Sequence, residues 1–282
     1  MNIQQIAVVG AGQMGSGIAQ VCAMAGFQVI LFDLNSEALE QAKASISSSL
    51  NRLLSKEKLT LQQVSACLNK IETQVEMSAL SQVDLVIEAA SEQEAIKQSI
   101  FKQLDEICQA NTILATNTSS ISITRLAAVT KRPEKVVGMH FMNPVPMVPL
   151  VEIISALQTD ESVFKQVREL AEVLGKTPVN VKDSPAFVAN RILIPMINEA
   201  IFCRHEDLAS AAEIDEVMML GMGHPMGPLA LADLIGLDTC LSIMEVLNRS
   251  FNDSKYRPCP LLIQMVDAGY LGRKTGRGFY YY

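Results

Sequence analysis

The chain has 282 residues, 49% hydrophobic and 19% charged, with a formal net charge of −7. That is enough apolar material for a packed core and enough length for two domains, and it argues against a disordered chain. An acidic chain without a basic run is a poor ligand for a phosphate backbone, so no nucleic acid partner is expected. The six cysteines, at 22, 67, 108, 203, 240 and 259, form no CxxC pair and no Cys/His cluster with zinc spacing. Free, buried thiols and no bound metal are the expectation. The first strand signal begins within a few residues of Met1, which leaves no room for a leader, and no apolar run reaches the ~18–20 residues of a membrane span. A soluble, cytoplasmic protein is expected.

The first half alternates short β-branched runs with amphipathic stretches. "IAVV" (6–9) predicts a strand, and 14–25 a helix that stops at Gly26. "QVILF" (28–32) predicts the second strand. Ser36 is the candidate N-cap of a long helix toward Leu54. A helix over 60–69 follows, then strands at 71–75 and 84–89, a helix over 94–108, and the strand "TILAT" (112–116). This β-α-β order predicts a Rossmann-type, mostly parallel sheet covered on both faces. "KVVGMHF" (135–141) and "PLVEII" (149–154) are strands whose link is too short for a helical crossover, so they are expected antiparallel. A helix over 160–174 and the strand "PVNV" (178–181) complete the pattern.

Strand signal ends near 183–187. Residues 1–184 form the predicted sheet domain, and 185–282 a second, all-helical domain. "FVANRILIPMINEAIF" predicts a long apolar helix, with Pro195 expected to kink or break it. Residues 228–249 read as helix interrupted near Gly236. The glycine-rich, basic tail "GYLGRKTGRGFYYY" reads as a loop with a short aromatic end.

"VVGAGQMGSG" contains Gly10-x-Gly12-x-x-Gly15, with Gln13 and Met14 between the last two glycines. The motif alone is weak, but here it follows a strand and opens a helix. Gly10 permits a tight turn, Gly12 lets the backbone approach a pyrophosphate, and Gly15 lets the helix pack close to the strand. The helix N-terminus then offers N–H groups to the phosphates. Asp33 ends the second strand, where a carboxylate accepts hydrogen bonds from an adenosine ribose and repels a 2′-phosphate. With no Arg or Lys beside it, "FDLNSE" favours NAD over NADP.

"GMHFMNPVPMVPLVEI" (138–153) contains His140, one of three histidines, and Glu152 inside an apolar run. Dehydrogenation of an alcohol needs a base for the hydroxyl proton, and an imidazole held by a carboxylate suits that task. Antiparallel pairing of the two strands would bring Glu152 near His140. Pattern alone leaves open whether His140 is that base or a core residue. "NTSS" (117–120) follows a parallel strand, where ligands gather. Its side chains would hold a substrate oxygen, or Ser119 or Ser120 would merely cap a helix. Asn190 lies early in the apolar helix. His205 and His224 read as surface and turn residues, and no GxSxG elbow is present.

Together "VVGAGQMGSGIA", "VIEAASE", "LATNTSSISIT", "GMHFMNPVPMVPLVEII", "FVANRILIPMINEA", "GMGHPMGPLALADLIGLD" and "GRKTGRGFY" resemble the L-3-hydroxyacyl-CoA dehydrogenase family, in particular its short bacterial 3-hydroxybutyryl-CoA members. The resemblance covers nearly the whole chain. It implies NAD as cofactor, an acyl-CoA substrate, and a homodimer formed through the helical domain. It implies His140 as general base and Glu152 as its orienting partner. Ser119 and Asn190 would contact the reacting oxygens. Glu92, Lys97, Asn117, Ser119 and Asn143 would line the cofactor, joined by Lys274 in a closed state. Ser49 and Lys56, on the long helix after the second strand, would meet the CoA moiety. Alternatives at this level are a dehydrogenase of another hydroxy acid and a non-catalytic NAD-binding module. The family often has glycine where Ala186 stands, so alanine there requires φ < 0 or some strain.

Overall fold

Eight short strands, rich in Val, Ile and Leu, make one sheet in the order β3-β2-β1-β4-β5-β6-β7-β8. They are β1 (Gln5–Val9), β2 (Gln28–Phe32), β3 (Ile71–Gln74), β4 (Leu85–Glu88), β5 (Ile113–Thr116), β6 (Val136–Phe141), β7 (Leu150–Ser155) and β8 (Thr177–Lys182). All neighbours are parallel except β6 and β7, which are antiparallel as expected. The fully buried runs of β4, β5 and β6 have no polar–apolar alternation, because helices cover both faces of a parallel sheet. The computed structural model describes residues 3–282. Met1 and Asn2, and with them the expectation about a leader, lie outside the described residues.

The helices among these strands are α1 (Gln13–Met24), α2 (Ser36–Ser55), α3 (Leu61–Leu68), α4 (Glu94–Ile107), α5 (Ile123–Ala127) and α6 (Glu161–Val173). One expected cap moves, and one alternative reading of a cap fails. Asn35, not Ser36, caps α2, accepting from the N–H groups of Glu37 and Ala38. Ser122, not Ser119 or Ser120, caps α5. A 3-10 turn at Met77–Gln82 was not foreseen, since it lacks helical periodicity. Burial pushes the Cys22 thiol up to about 12 and those of Cys67 and Cys108 to about 11, so these cysteines behave as core apolar residues.

The chain divides into two units, Met1–Asp183 and Ser184–Tyr282. The second comprises α7 (Ala189–His205), α8 (Ala211–Glu216), α9 (Pro228–Ile235), α10 (Leu237–Phe251) and α11 (Pro260–Asp267) around their own apolar cluster. Pro195 does not break α7. Proline in a helix costs about 3 kcal/mol, but Ile194, Ile197 and Ile201 are buried around it, and each buried side chain of this size contributes about 1.5–3 kcal/mol. Gly236, at φ +103, separates α9 from α10. Ala186 takes φ 60 and Phe187 φ 51, so alanine does occupy the left-handed region. Both are fully buried, which holds them there. Among the described residues no helix is long and apolar enough to cross a membrane.

Candidate active site

Because β1, β2, β4, β5 and β6 run the same way, their carboxyl ends share one edge of the sheet. Residues from all five strand ends meet there. Gly10 has φ +104, and a Cβ on it would stand 2.7 Å from the Ala89 carbonyl oxygen, so the turn admits only glycine. Gly12 differs: among the described residues, no atom beyond its own chain neighbours lies within 4 Å of where its Cβ would be. It precedes α1 without a side-chain cap, and the first turn of α1 contains no acid. Nothing in the chain itself requires glycine at 12, whereas a phosphate approaching the open N–H groups does. That arrangement fits a dinucleotide.

Asp33 is tied to the glycine loop. Its Oδ2 accepts from Ala11 N–H at 2.8 Å and its Oδ1 from Asn35 N–H at 2.9 Å. Gln13 donates from Nε2 to Asn143 Oδ1 at 3.1 Å, so the glycine loop meets the proline-rich link. The link packs on α1 at Gly17, where a Cβ would come 2.8 Å from that of Val145. The Asn143–Pro144 peptide is cis.

β6 and β7 pair in a register that sets His140 directly opposite Glu152. Nδ1 of His140 lies 2.8 Å from Oε2 of Glu152, and the two residues are 6% and 2% exposed. A buried carboxylate needs such a partner. Asn117, at the end of β5, accepts from Phe141 N–H at 2.9 Å and so holds the strand beside the histidine. Lys176, at the start of β8, donates to the carbonyls of Val145 and Val148, the latter at 2.9 Å. Burial lowers its pKa, so the fold keeps a cation there at a cost.

A second cluster joins β4, β5 and α4. Glu92 Oε1 accepts from Thr118 Oγ1 (2.6 Å), from the N–H and hydroxyl of Ser119 (2.8 and 3.1 Å), and from the N–H and hydroxyl of Ser120 (3.1 and 3.2 Å). Burial pushes this carboxyl up, but the Lys97 ammonium and the bonds from Thr118 and Ser119 outweigh it and hold it below the ordinary value. Lys97 is 1% exposed and turned inward. Its Nζ donates to Glu88 at 2.7 and 2.8 Å and stands 3.6 Å from Glu92 Oε2. Its ion-pair partners among the described residues are thus Glu88 and Glu92.

Of the residues singled out in the sequence, Gly10, Gly12, Gln13, Met14, Gly15 and Asp33 build the glycine loop and its neighbour. Glu92, Asn117, Ser119, Asn143, His140 and Glu152 stand at the adjoining strand ends. Ser49 and exposed Lys56 lie two turns apart near the end of α2, bonded to none of these among the described residues. Asn190 is in the first turn of α7. Lys274 pairs with both oxygens of Asp238, at 2.5 and 2.6 Å. Glu88, Lys176, Thr116 and Gly17 were missed. Glu88 had a usable signal: like Glu152, it is a lone carboxylate in an apolar strand. Lys176 and Gly17 had none, since their partners are distant in sequence.

Residues 5–184 match the family model of the 3-hydroxyacyl-CoA dehydrogenase NAD binding domain, and 187–282 that of the C-terminal domain. A probable 3-hydroxybutyryl-CoA dehydrogenase of Bacillus subtilis is 57% identical over all of this chain and 98% of that protein. The 3-hydroxybutyryl-CoA dehydrogenase of Bradyrhizobium diazoefficiens is 51% identical over 99% of this chain and 96% of its own. Among solved structures, an (S)-3-hydroxybutyryl-CoA dehydrogenase from Ralstonia eutropha superposes with a TM-score of 0.97 at 53% identity, covering 100% of this chain and 99% of that one. The chain belongs to the 3-hydroxyacyl-CoA dehydrogenase family and is an NAD-dependent oxidoreductase acting on a CH–OH group.

Proposed function

We propose that this enzyme interconverts short-chain 3-hydroxyacyl-CoA, 3-hydroxybutyryl-CoA above all, with the 3-ketoacyl-CoA, using His140 as base and acid. The observation behind this reading is the His140–Glu152 pair at 2.8 Å, buried beside the glycine loop's edge of the sheet. NAD, when bound, supplies the hydride acceptor. In the oxidation direction the substrate hydroxyl gives its proton to His140 Nε2 while Nδ1–H stays on Glu152. The carboxylate selects that tautomer and stabilises the imidazolium. In reduction the imidazolium returns the proton to the forming alkoxide. Ser119, held by Glu92, contacts the reacting oxygen from the cofactor side. Asn190 enters this role through the family resemblance, as do Ser49 and Lys56 for the CoA moiety and Lys274 for the cofactor. Asp33 takes the ribose hydroxyls.

The first unit is the NAD-binding domain of this reading, and the second supplies a homodimer contact. An apolar groove of about 530 Å³ in the second unit supports that contact. It includes Met196, Ala200 and Met218, with Leu208 and Val217 75% and 62% exposed. A monomer mass independent of concentration in sedimentation would refute the dimer. Six free thiols agree with a cytoplasmic location.

The deciding experiment follows NADH oxidation with acetoacetyl-CoA, with longer 3-ketoacyl-CoA esters, and with free acetoacetate. The highest kcat/KM is expected with acetoacetyl-CoA. Equal rates with free acetoacetate would point to another hydroxy acid. NADH binding without turnover of any of them would leave a non-catalytic module.

A further inference from the structure

We propose that Glu88 is a positioning residue for the reaction, acting through Lys97 and Glu92 to set Ser119 and the backbone behind the glycine loop. The inference rests on the dehydrogenase reading above. Glu88 is the last residue of β4 and is 0% exposed. An apolar strand end would have been met by an apolar residue had packing alone been needed. The carboxylate instead accepts four hydrogen bonds from three donors: Lys97 Nζ on both oxygens at 2.7 and 2.8 Å, Thr116 Oγ1 at 2.7 Å, and Ala90 N–H at 2.7 Å. These donors come from α4, from the end of β5, and from the loop after β4 itself.

Two consequences follow from this geometry. First, Lys97 stands between two carboxylates and is bonded to one of them. Its distance of 3.6 Å from Glu92 Oε2 leaves Glu92 Oε1 to the Ser119 and Ser120 donors. Without the charge at 88, the buried ammonium has Glu92 as its nearest carboxylate, and closing on it draws Glu92 off the serines. Second, Gly10 packs against Ala89 and Ala90, the backbone that Glu88 ties down through Ala90 N–H. One carboxylate thus braces both halves of the site, the loop for the phosphates and the serine for the reacting oxygen.

Glu88→Gln tests this, since it keeps the shape and removes the charge. Cofactor affinity comes from NADH fluorescence titration of the binary complex, and kcat from the acetoacetyl-CoA assay. The titration reads Glu88 even if the acyl-CoA reading fails, because it needs no turnover. With the melting temperature used to confirm folding, Glu88→Gln is expected to weaken NADH binding and lower kcat by about tenfold each, the scale expected for sub-ångström misplacement. Glu88→Asp, a poorer steric match that keeps the charge, is expected to recover part of both. A packing role predicts the opposite order, with Asp worse than Gln. If Gln does not fold, Thr116→Val, which removes one hydrogen bond to the Glu88 carboxylate and leaves its charge, and which also takes the acceptor from Thr118 N–H, is expected to shift both readouts in the same direction by about two- to threefold, the scale of a single lost hydrogen bond acting at a distance from the ligand. Wild-type affinity and kcat in folded Glu88→Gln, or in Thr116→Val where Gln cannot be made, or the packing order of Asp and Gln, would overturn the proposal.

Discussion

The two units bury carboxylates in different company. In the first, Glu88 and Glu152 meet side chains that are basic or can become so, Lys97 and His140. In the second, Asp215 and Asp233 meet backbone N–H groups and tyrosine hydroxyls. Asp215 accepts from Leu229 and Ala230 N–H at 2.8 and 2.9 Å and from Tyr280 Oη at 2.7 Å. It caps α9 from α8, because the residue before Pro228 is a glycine with no side chain to do so. Asp233 accepts from Phe279 and Tyr280 N–H, both at 3.0 Å, and from Tyr282 Oη at 3.2 Å, clamping the aromatic end of the chain. A carboxylate on backbone donors fixes a chain path. A carboxylate on an imidazole or ammonium also sets a charge that chemistry can use. The contrast teaches that burial of an acid does not by itself mark an active site, and neither does a basic donor, since buried Asp105 pairs with Arg132 at 2.7 Å outside the residues of the site; donor and place at the strand ends together do.

The sharpest test of this contrast is His140→Gln. The variant is expected to lower kcat by about 10²–10⁴ while NADH affinity stays within a few-fold, as for loss of a positioned acid–base group. A loss under tenfold would remove His140 from the chemistry and make the two kinds of buried acid alike. Next comes Lys176→Met. The change relieves the cost of a buried cation but takes the donor from the carbonyls of Val145 and Val148, so the two effects oppose and little change in melting temperature is expected. The link that the ammonium held would shift, and kcat is expected to fall about tenfold. An unchanged kcat would show that the link needs no brace.

In the second unit the effects should fall on stability. Asp233→Asn leaves fewer acceptor sites for three donors and is expected to cost about 1–3 kcal/mol in denaturant unfolding, the penalty for an unsatisfied buried group. A cost below that range would mean the aromatic end is not clamped through Asp233. The smallest effect concerns pH. Burial, then the bond to Asp215, raises the Tyr280 pKa above its ordinary 10. A raised folded-state pKa favours the neutral form. Its contribution is complete below the unfolded pKa near 10 and is lost as pH rises from there toward the folded value. Melting temperature should therefore decline above about pH 10, and less steeply in Tyr280→Phe. Equal slopes would remove Tyr280 as the cause.

Local pattern went far with this molecule. Strand-loop-helix context made the glycine loop and Asp33 readable, since three glycines and an acid lie within one β-α-β unit. That Glu152 would come near His140 was readable because so short a link between two apolar runs points to antiparallel strands, whereas the register that sets them directly opposite was not. Ser119 was singled out, but its ties to Glu92 were not readable, because they join a loop to the start of a helix 27 residues away. The cap of α2, and the alternative reading of a cap at α5, were misplaced by one to three residues, because several adjacent Ser, Asn and Asp side chains compete at each terminus.

By itself, then, the sequence determined what depends on neighbours along the chain: the alternation of strands and helices, the glycine turn, the change to helices near residue 184, and the antiparallel run that brings the histidine near its glutamate. Only the tertiary structure decided the rest. It brought Lys97 inward onto Glu88, set Lys176 under a link some 30 residues away, seated Val145 on Gly17, and closed the aromatic end on Asp233. Periodicity and propensity act over one or two turns of chain, whereas the need of a buried charge for a partner can be met from anywhere in the fold.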